Sequence, residues 1–267
     1  NAWNAQWSHN RYRIYYPKTM GDAVWSMYDY NRGCCDNICY SGVADIFRLP
    51  KFSLSFFRTQ IAEGSMLPSG KMPYEVFIPA YRDEILSDTV MVYGNVDEVE
   101  LVLNGKTIRR QTADKGPDSD YISVPNGGNG KNLHFPPFTF YGVPKERGVL
   151  KAVGYHQGKK VAEYTVKTPG VPERLDITYF ESGKPATKND LLIVYVRMLD
   201  KQGVLCPVNG IPVELSVQGG EIVGPTSYPL EAGVASFLVR TGEISKININ
   251  ATGKGFSTRK SLKVGKE

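Results

Sequence analysis

The chain has 267 residues, 41% hydrophobic and 22% charged, the balance of an ordinary folded protein rather than a disordered one. No apolar run approaches the roughly 18 residues of a membrane span. The net charge of +5 is spread thinly, so neither nucleic acid nor an anionic membrane surface is expected as a partner.

Residue 1 opens inside what reads as a helix, as an excised piece would, and no signal peptide is in view. Trp3, Trp7 and residues 10–12 have helical spacing, ended by Pro17 and Gly21. Asp22, Ala23, Val24, Trp25, Ser26, Met27, Tyr28, Asp29 and Tyr30 form an apolar-to-aromatic run with a polar exit. That pattern predicts a buried strand opening into a loop over 31–41. Ile46, Leu49, Phe52, Phe56, Phe57 and Ile61 return to helical spacing, with Pro50 expected at the first helical position. Helix, strand, loop and helix are the unit of a parallel α/β sheet. A (β/α)8 barrel takes about 250 residues, so 1–62 reads as an incomplete domain.

Residues 63–73 are rich in breakers and read as a linker. From 74 to 169 the pattern is β throughout, with strands expected over 89–94, 99–103, 149–155 and 161–166. Asn104-Gly105 is a two-residue hairpin signal, and residues 156–159 form a second turn. The excursion 113–132 is a long glycine-bearing loop. Residues 170–267 repeat the logic, with strands at 175–180, 191–199, 211–217, 234–239, 247–251 and 261–264. Turns fall at 200–203 and 218–220. With 27 Gly, 17 Pro and 16 Tyr the mixture suits sandwiches, and short strands at this density predict two immunoglobulin-like β-sandwiches. The fold class is therefore mainly β, with a barrel remnant ahead of two sandwiches, and a domain boundary near 169/170.

Chemistry is scarce outside the first 62 residues. Cys34, Cys35 and Cys39 lack zinc-ligand spacing, Cys206 stands alone, and the chain has three histidines, His9, His134 and His156. Unpaired loop thiols are the simpler reading of the cysteines. There is no nucleophile elbow, phosphate loop or metalloprotease motif, so neither a cofactor nor a metal is expected. Residues 126–130 are glycine-rich, but no strand enters them and no helix follows, so a loop is expected there rather than a phosphate cradle.

Several segments carry a family resemblance. Residues 21–30, with Trp25 and Asp29-Tyr30, resemble the last barrel strand of family 2 glycoside hydrolases, the β-galactosidase and β-glucuronidase group. Residues 41–51, ending in Pro50-Lys51 and continuing to Phe56, Phe57 and Gln60, are similar to the entry into that barrel's final helix. Residues 97–106, 134–138 and 150–155 resemble the sandwich that trails the barrel, and 170 onward resembles the terminal domain.

The resemblance implies a retaining glycosidase acting on terminal β-linked sugars, exported or periplasmic in a bacterium, with galactose the first sugar expected and glucuronic acid or mannose behind it. Retention needs two carboxyl groups about 5 Å apart. In the family both glutamates lie on earlier barrel strands, and here the first Glu is Glu63. No catalytic residue is therefore expected in this chain, Asp22, Asp29, Asp36 and Asp45 matching neither position. Trp25 matches the tryptophan that lines the sugar pocket, and its alternative is a core role. Asp29 would accept from sugar hydroxyls, or cap a loop, or pair with Arg32 or Arg48. His9 and Asn10 loosely match a polar pair late in the barrel. Tyr28 and Tyr30 alternate with Asp29 and are expected to pack on its opposite face.

The partners implied are a carbohydrate substrate and the remainder of the barrel. Without that remainder, Val24, Trp25, Ile46, Leu49, Phe52, Phe56 and Phe57 should pack on the first sandwich, self-associate or be disordered. A different class, a carbohydrate-binding or adhesion module of tandem immunoglobulin-like domains, has no use for residues 1–62.

Overall fold

The computed structural model describes residues 2–13, 15, 17–18, 21–33, 37–80, 88–114, 130, 132–180 and 185–265. It is mainly β and divides into two compact units, Asn1–Thr168 and Pro169–Glu267.

The first unit opens with α1 (Ala2–Arg13), followed by the short paired strands β1 (Tyr30–Asn31) and β2 (Ile38–Cys39) and by α2 (Phe52–Thr59). Residues 22–30 correct the expectation of a buried strand. Only Tyr28 bridges to Ala44 before β1 begins, and Val24, Trp25 and Met27 are exposed, because no described strand flanks this run on its far side. Pro50 also differs from expectation. It bridges to Ala44, Lys51 is the N-cap, and the helix starts at Phe52. The Lys51 N–H is already committed to the Val43 carbonyl at 2.9 Å, which sets the helix start there. The breaker-rich stretch 63–73 folds as a hairpin of β3 (Met66–Leu67) and β4 (Gly70–Lys71), with Met72 fully buried.

Two sheets follow. One runs β5 (Val76–Phe77), β6 (Val90–Gly94) and β9 (Phe138–Phe140). The other has the order β11 (Lys159–Lys167), β10 (Val149–His156), β7 (Glu98–Leu103), β8 (Lys106–Thr112), all antiparallel. Alternation decides the faces. Val90 and Val92 point with Val99, Leu101, Leu150 and Ala152 into the core between the sheets. Tyr93 and Phe77 point the other way, beneath the helices, where they meet Phe56 and Ala2. The unit is thus a β-sandwich with helices laid on one outer face. Phe52 and Phe56 find partners on that sandwich in Phe77 and Tyr93, one of the three expected outcomes, while Phe57 meets Phe56 and His9.

The tight turns obey sequence. Asn104 (φ 50°) and Gly105 (φ 80°) join β7 to β8, and Gln157 (φ 49°) and Gly158 (φ 77°) join β10 to β11, both central residues being left-handed as such hairpins require. Asn104 then reaches across to Arg147 O and the Val149 N–H, and a Cβ on Gly148 would stand 1.9 Å from its Oδ1.

The second unit is also a sandwich. One sheet has the order β12 (Pro172–Tyr179), β13 (Leu191–Asp200), β17 (Val234–Thr241), β15 (Gly220–Ile222). The other has the order β16 (Ser227–Pro229), β14 (Pro212–Gln218), β18 (Lys246–Gly253), β19 (Phe256–Lys263). Val194, Val196, Met198 and Phe237 from the first sheet meet Val213, Leu215, Ile247 and Ile249 from the second. The turn read over 218–220 is shorter than expected. Gly219 (φ 85°) makes it, and Gly220 already pairs with Thr241 at the start of β15. Buried Asp200 organises the 200–204 turn: its carboxylate accepts from the N–H groups of Gln202, Val204 and Gly170 at 2.7–2.9 Å, which holds its pKa below the usual carboxylate value. Burial pushes the Cys206 thiol up, as in an inert core cysteine.

Candidate functional site

The residues singled out by sequence all lie in α1 or between it and α2. Trp25 sits on the irregular run 22–29 and is 74% exposed. Its Nε1–H donates to Tyr30 Oη at 2.8 Å, and the two rings meet edge-on with centroids 6.3 Å apart. One edge of the indole is therefore tied while the rest faces outward. The Trp25–Ser26 peptide is cis. Val24, Met27 and Tyr40 are exposed too, giving this segment an aromatic and apolar surface.

What holds that surface is a braced loop. Ser26, Met27 and Asp29 exchange backbone hydrogen bonds with Ser41, Val43 and Ala44, and β1 pairs with β2 (Tyr30 opposite Cys39). Asp29 sits at the centre, its side chain 3% exposed. Its Oδ1 accepts from Lys51 Nζ at 2.6 Å and from the Gly42 N–H at 2.9 Å, while Lys51 also donates to the Tyr40 carbonyl at 3.1 Å. Gly42 is needed here, since a Cβ would lie 2.3 Å from Asp29 N. The partner of Asp29 is thus Lys51, neither Arg32 nor Arg48. Arg48 instead lies over the Tyr28 ring at 3.9 Å and donates to Ile46 O.

Removing one member of a nearly dry ion pair strands the other. Asp29→Ala is expected to cost about 2–3 kcal/mol, the double change Asp29→Leu/Lys51→Met less than either single change, measured by denaturant unfolding. Equal, additive costs would contradict the brace.

His9 and Asn10 stand apart from that brace. His9 Nδ1 lies 2.8 Å from Asp22 Oδ2, and its ring meets Phe57 and Phe56 edge-on. Asn10 is 1% exposed and its Oδ1 accepts the Asn132 N–H at 2.8 Å, while Arg13 Nε donates to Asn132 O at 2.7 Å. Gln6, one turn earlier and equally buried, accepts from Tyr93 Oη at 2.7 Å. The buried row of α1 is therefore Ala2, Gln6 and Asn10, a polar seam against the sandwich. Burial pushes the Tyr93 hydroxyl pKa far up, so it stays a donor.

The carboxylates in this region are engaged: Asp22 with His9, Asp29 with Lys51, and Asp45 Oδ1 with the N–H groups of Phe47 and Leu49. Asp36, Cys34 and Cys35 lie outside the described residues, as does most of the 113–132 loop. Cys39 Sγ is 3.2 Å from Ser41 Oγ; this hydrogen bond, with smaller help from Tyr30 and Arg32, lowers its pKa against desolvation. His134 stacks on Phe135, and His156 pairs with Asp97 at 3.1 Å and stacks on Tyr74. Among the described residues no three His, Cys, Asp or Glu side chains converge on a metal position, and no helix is long and apolar enough to cross a membrane. Sequence reasoning missed Lys51 as the partner of Asp29 and Tyr40 as part of the exposed surface; the Pro50-Lys51 pair was visible, but nothing local ties it to a residue 22 positions earlier.

The chain is similar to several known proteins. A family described as "Domain of unknown function (DUF4982)" matches residues 87–162. The β-galactosidase of Thermoanaerobacter pseudethanolicus is 32% identical over 241 residues, covering 84% of this chain and 30% of that protein. A β-galactosidase of Rhizobium radiobacter is 30% identical over 129 residues, 48% of this chain and 92% of that sequence. A solved β-glucuronidase from glycoside hydrolase family 2 superposes with a TM-score of 0.71 over 98% of this chain and 28% of its own, at 20% identity, a likeness of fold. The chain thus spans under a third of the first of these relatives.

Proposed function

The chain belongs to glycoside hydrolase family 2, and we propose that it is the C-terminal part of a retaining, β-galactosidase-like enzyme. In this reading residues 1–62 are the end of a (β/α)8 barrel, and 74–169 and 170–267 are immunoglobulin-like sandwiches that support it. The observation that carries the reading is Trp25, presented 74% exposed on a braced loop rather than buried in a core. An indole face suits the C–H face of a pyranose, and barrel active sites open at the C-terminal ends of strands.

A retaining mechanism requires a nucleophile and an acid/base about 5 Å apart. In this reading both catalytic glutamates belong to the rest of the enzyme, and Asp22, Asp29 and Asp45 serve local partners. Trp25 forms one wall of the sugar site and excludes water from it. Asp29 and Lys51 act through that wall by fixing the loop, and His9 and Asn10 seat α1. The exposed Val24, Met27 and Tyr40 meet the neighbouring barrel strands. A terminal β-linked sugar of an oligo- or polysaccharide is the substrate, and a periplasmic or secreted location belongs to the same proposal.

The test is a panel of nitrophenyl glycosides offered to the complete gene product. Hydrolysis with a preference for the β-galactoside supports the reading. Turnover of another β-glycoside would move the sugar but keep the class, and inertness toward every β-glycoside would sink it.

A further inference from the structure

Trp25 is tied on its downstream side. Its indole donates to Tyr30 Oη, and the first backbone hydrogen bond of its run, among the described residues, is from the Ser26 N–H to the Ser41 carbonyl at 3.3 Å. Upstream, Ala23 and Val24 are exposed. The nearest tie on that side is Asp22, whose Oδ2 lies 2.8 Å from His9 Nδ1. Three residues, at most about 11 Å of chain, carry the backbone from Asp22 to Trp25.

His9 is itself held by something rigid. Its ring meets Phe57 and Phe56 edge-on, with centroids 5.7 and 6.3 Å away. Phe56 is fully buried and meets Tyr93 of β6 in turn. Contacts thus run without a break from the sheet through Phe56 and His9 to Asp22. The His9 and Asp22 side chains are 15% and 22% exposed, drier than the solvated surface pairs that contribute little. A carboxylate only accepts, so the hydrogen bond takes its proton from His9 Nδ1. With Nδ1 given to Asp22 and the ring set against two phenylalanines, the action left to His9 is on the chain that Asp22 begins.

We propose that His9 is a positioning residue for the sugar site: through Asp22 it fixes the upstream end of the run that presents Trp25, as Tyr30 fixes the indole from downstream. The proposal rests on the reading of Trp25 as a wall of that site. An indole that meets the C–H face of a pyranose orients the sugar only if it is held still itself, and a wall free to swing loses both contact and orientation. One stretch of backbone carries the coupling, so the effect of His9 and Asp22 on turnover passes through Trp25. A pair that served the fold alone would act whether or not the indole is present.

A double-mutant cycle in the complete gene product tests it, read as kcat/KM per folded molecule for the preferred nitrophenyl β-glycoside. His9→Leu keeps an apolar side chain against Phe56 and Phe57 but removes the donor. Asp22→Ala removes the acceptor without touching that packing, and so stays informative if His9→Leu disturbs α1. Each should lower kcat/KM about threefold to tenfold, and the two together no more than either alone. In a Trp25→Ala background each should change it by less than about twofold, because the group they position is gone. Losses in that background as large as in the parent, additive losses from the two changes, or unchanged kinetics in both single variants would each overturn the proposal. Unchanged kinetics in Trp25→Ala alone would sink the sugar-wall reading and this proposal with it. An impaired Trp25→Ala with additive losses at His9 would sink the proposal only.

Discussion

Trp25→Ala in the complete enzyme is expected to lower kcat/KM for the preferred glycoside about 30- to 150-fold, the loss of roughly 2–3 kcal/mol of aromatic contact with the reacting sugar. Stability should change by no more than about 0.5 kcal/mol, because an indole 74% exposed leaves no cavity when removed. The combination is diagnostic. A tryptophan that served the fold would show the reverse pattern, with unfolding shifted and turnover per folded molecule kept. Tyr30→Phe gives the graded control. It removes the hydroxyl that accepts from Trp25 Nε1 but keeps the edge-on ring, and about a threefold to tenfold loss in kcat/KM is expected. Unchanged kinetics in Trp25→Ala would remove this residue from the site.

Phe56→Ala should have the opposite signature and the largest effect on stability. Phe56 is 0% exposed and meets Tyr93 and Phe57 with ring centroids 5.1 and 5.2 Å away. Its truncation removes the central knob between α2 and the β5–β6 face, where Phe77 and Leu133 also pack. A cost of about 3–5 kcal/mol is expected, near 10 °C in Tm for a unit of this size. Phe56→Leu should recover most of it. Helix α1 responds differently because its seam is polar. There Gln6→Ala leaves Tyr93 Oη without its acceptor in a dry place, a smaller loss of about 1–3 kcal/mol. A near-neutral Phe56→Ala, measured by thermal unfolding, would mean that α2 is not seated as described.

The two sandwiches were readable because local chemistry and burial agree. Asn104-Gly105 and Gln157-Gly158 mark their own turns, and β14 alternates buried and exposed residues along its length. Strands of two or three residues carry no such period, which is why β5, β15 and β16 escaped notice; Gly220 in particular reads as part of a turn. The run 22–30 misled for a physical reason. Val24, Trp25 and Met27 have the composition of a buried strand, yet burial is decided by what lies across from them, and that is not encoded in the run itself. Asp29 shows the same limit at the site. Its acidity and its place after Trp25 were visible, but Arg32 and Arg48 were nearer in sequence than Lys51, which the loop 38–51 folds back onto it. The polar seam of α1 was likewise hidden, since Gln6 and Asn10 would ordinarily be placed on a solvent face.

In the proposed reading this chain supplies a wall of the sugar site while the carboxylate pair lies elsewhere in the enzyme. The direct measurement is hydrolysis of the preferred nitrophenyl β-glycoside by the 267-residue chain alone, beside the complete gene product at equal molarity. Turnover is expected from the complete product, and none above the buffer rate from the chain. Turnover by the chain itself, abolished when one of its own carboxylates is replaced, would place the reaction centre within these residues instead.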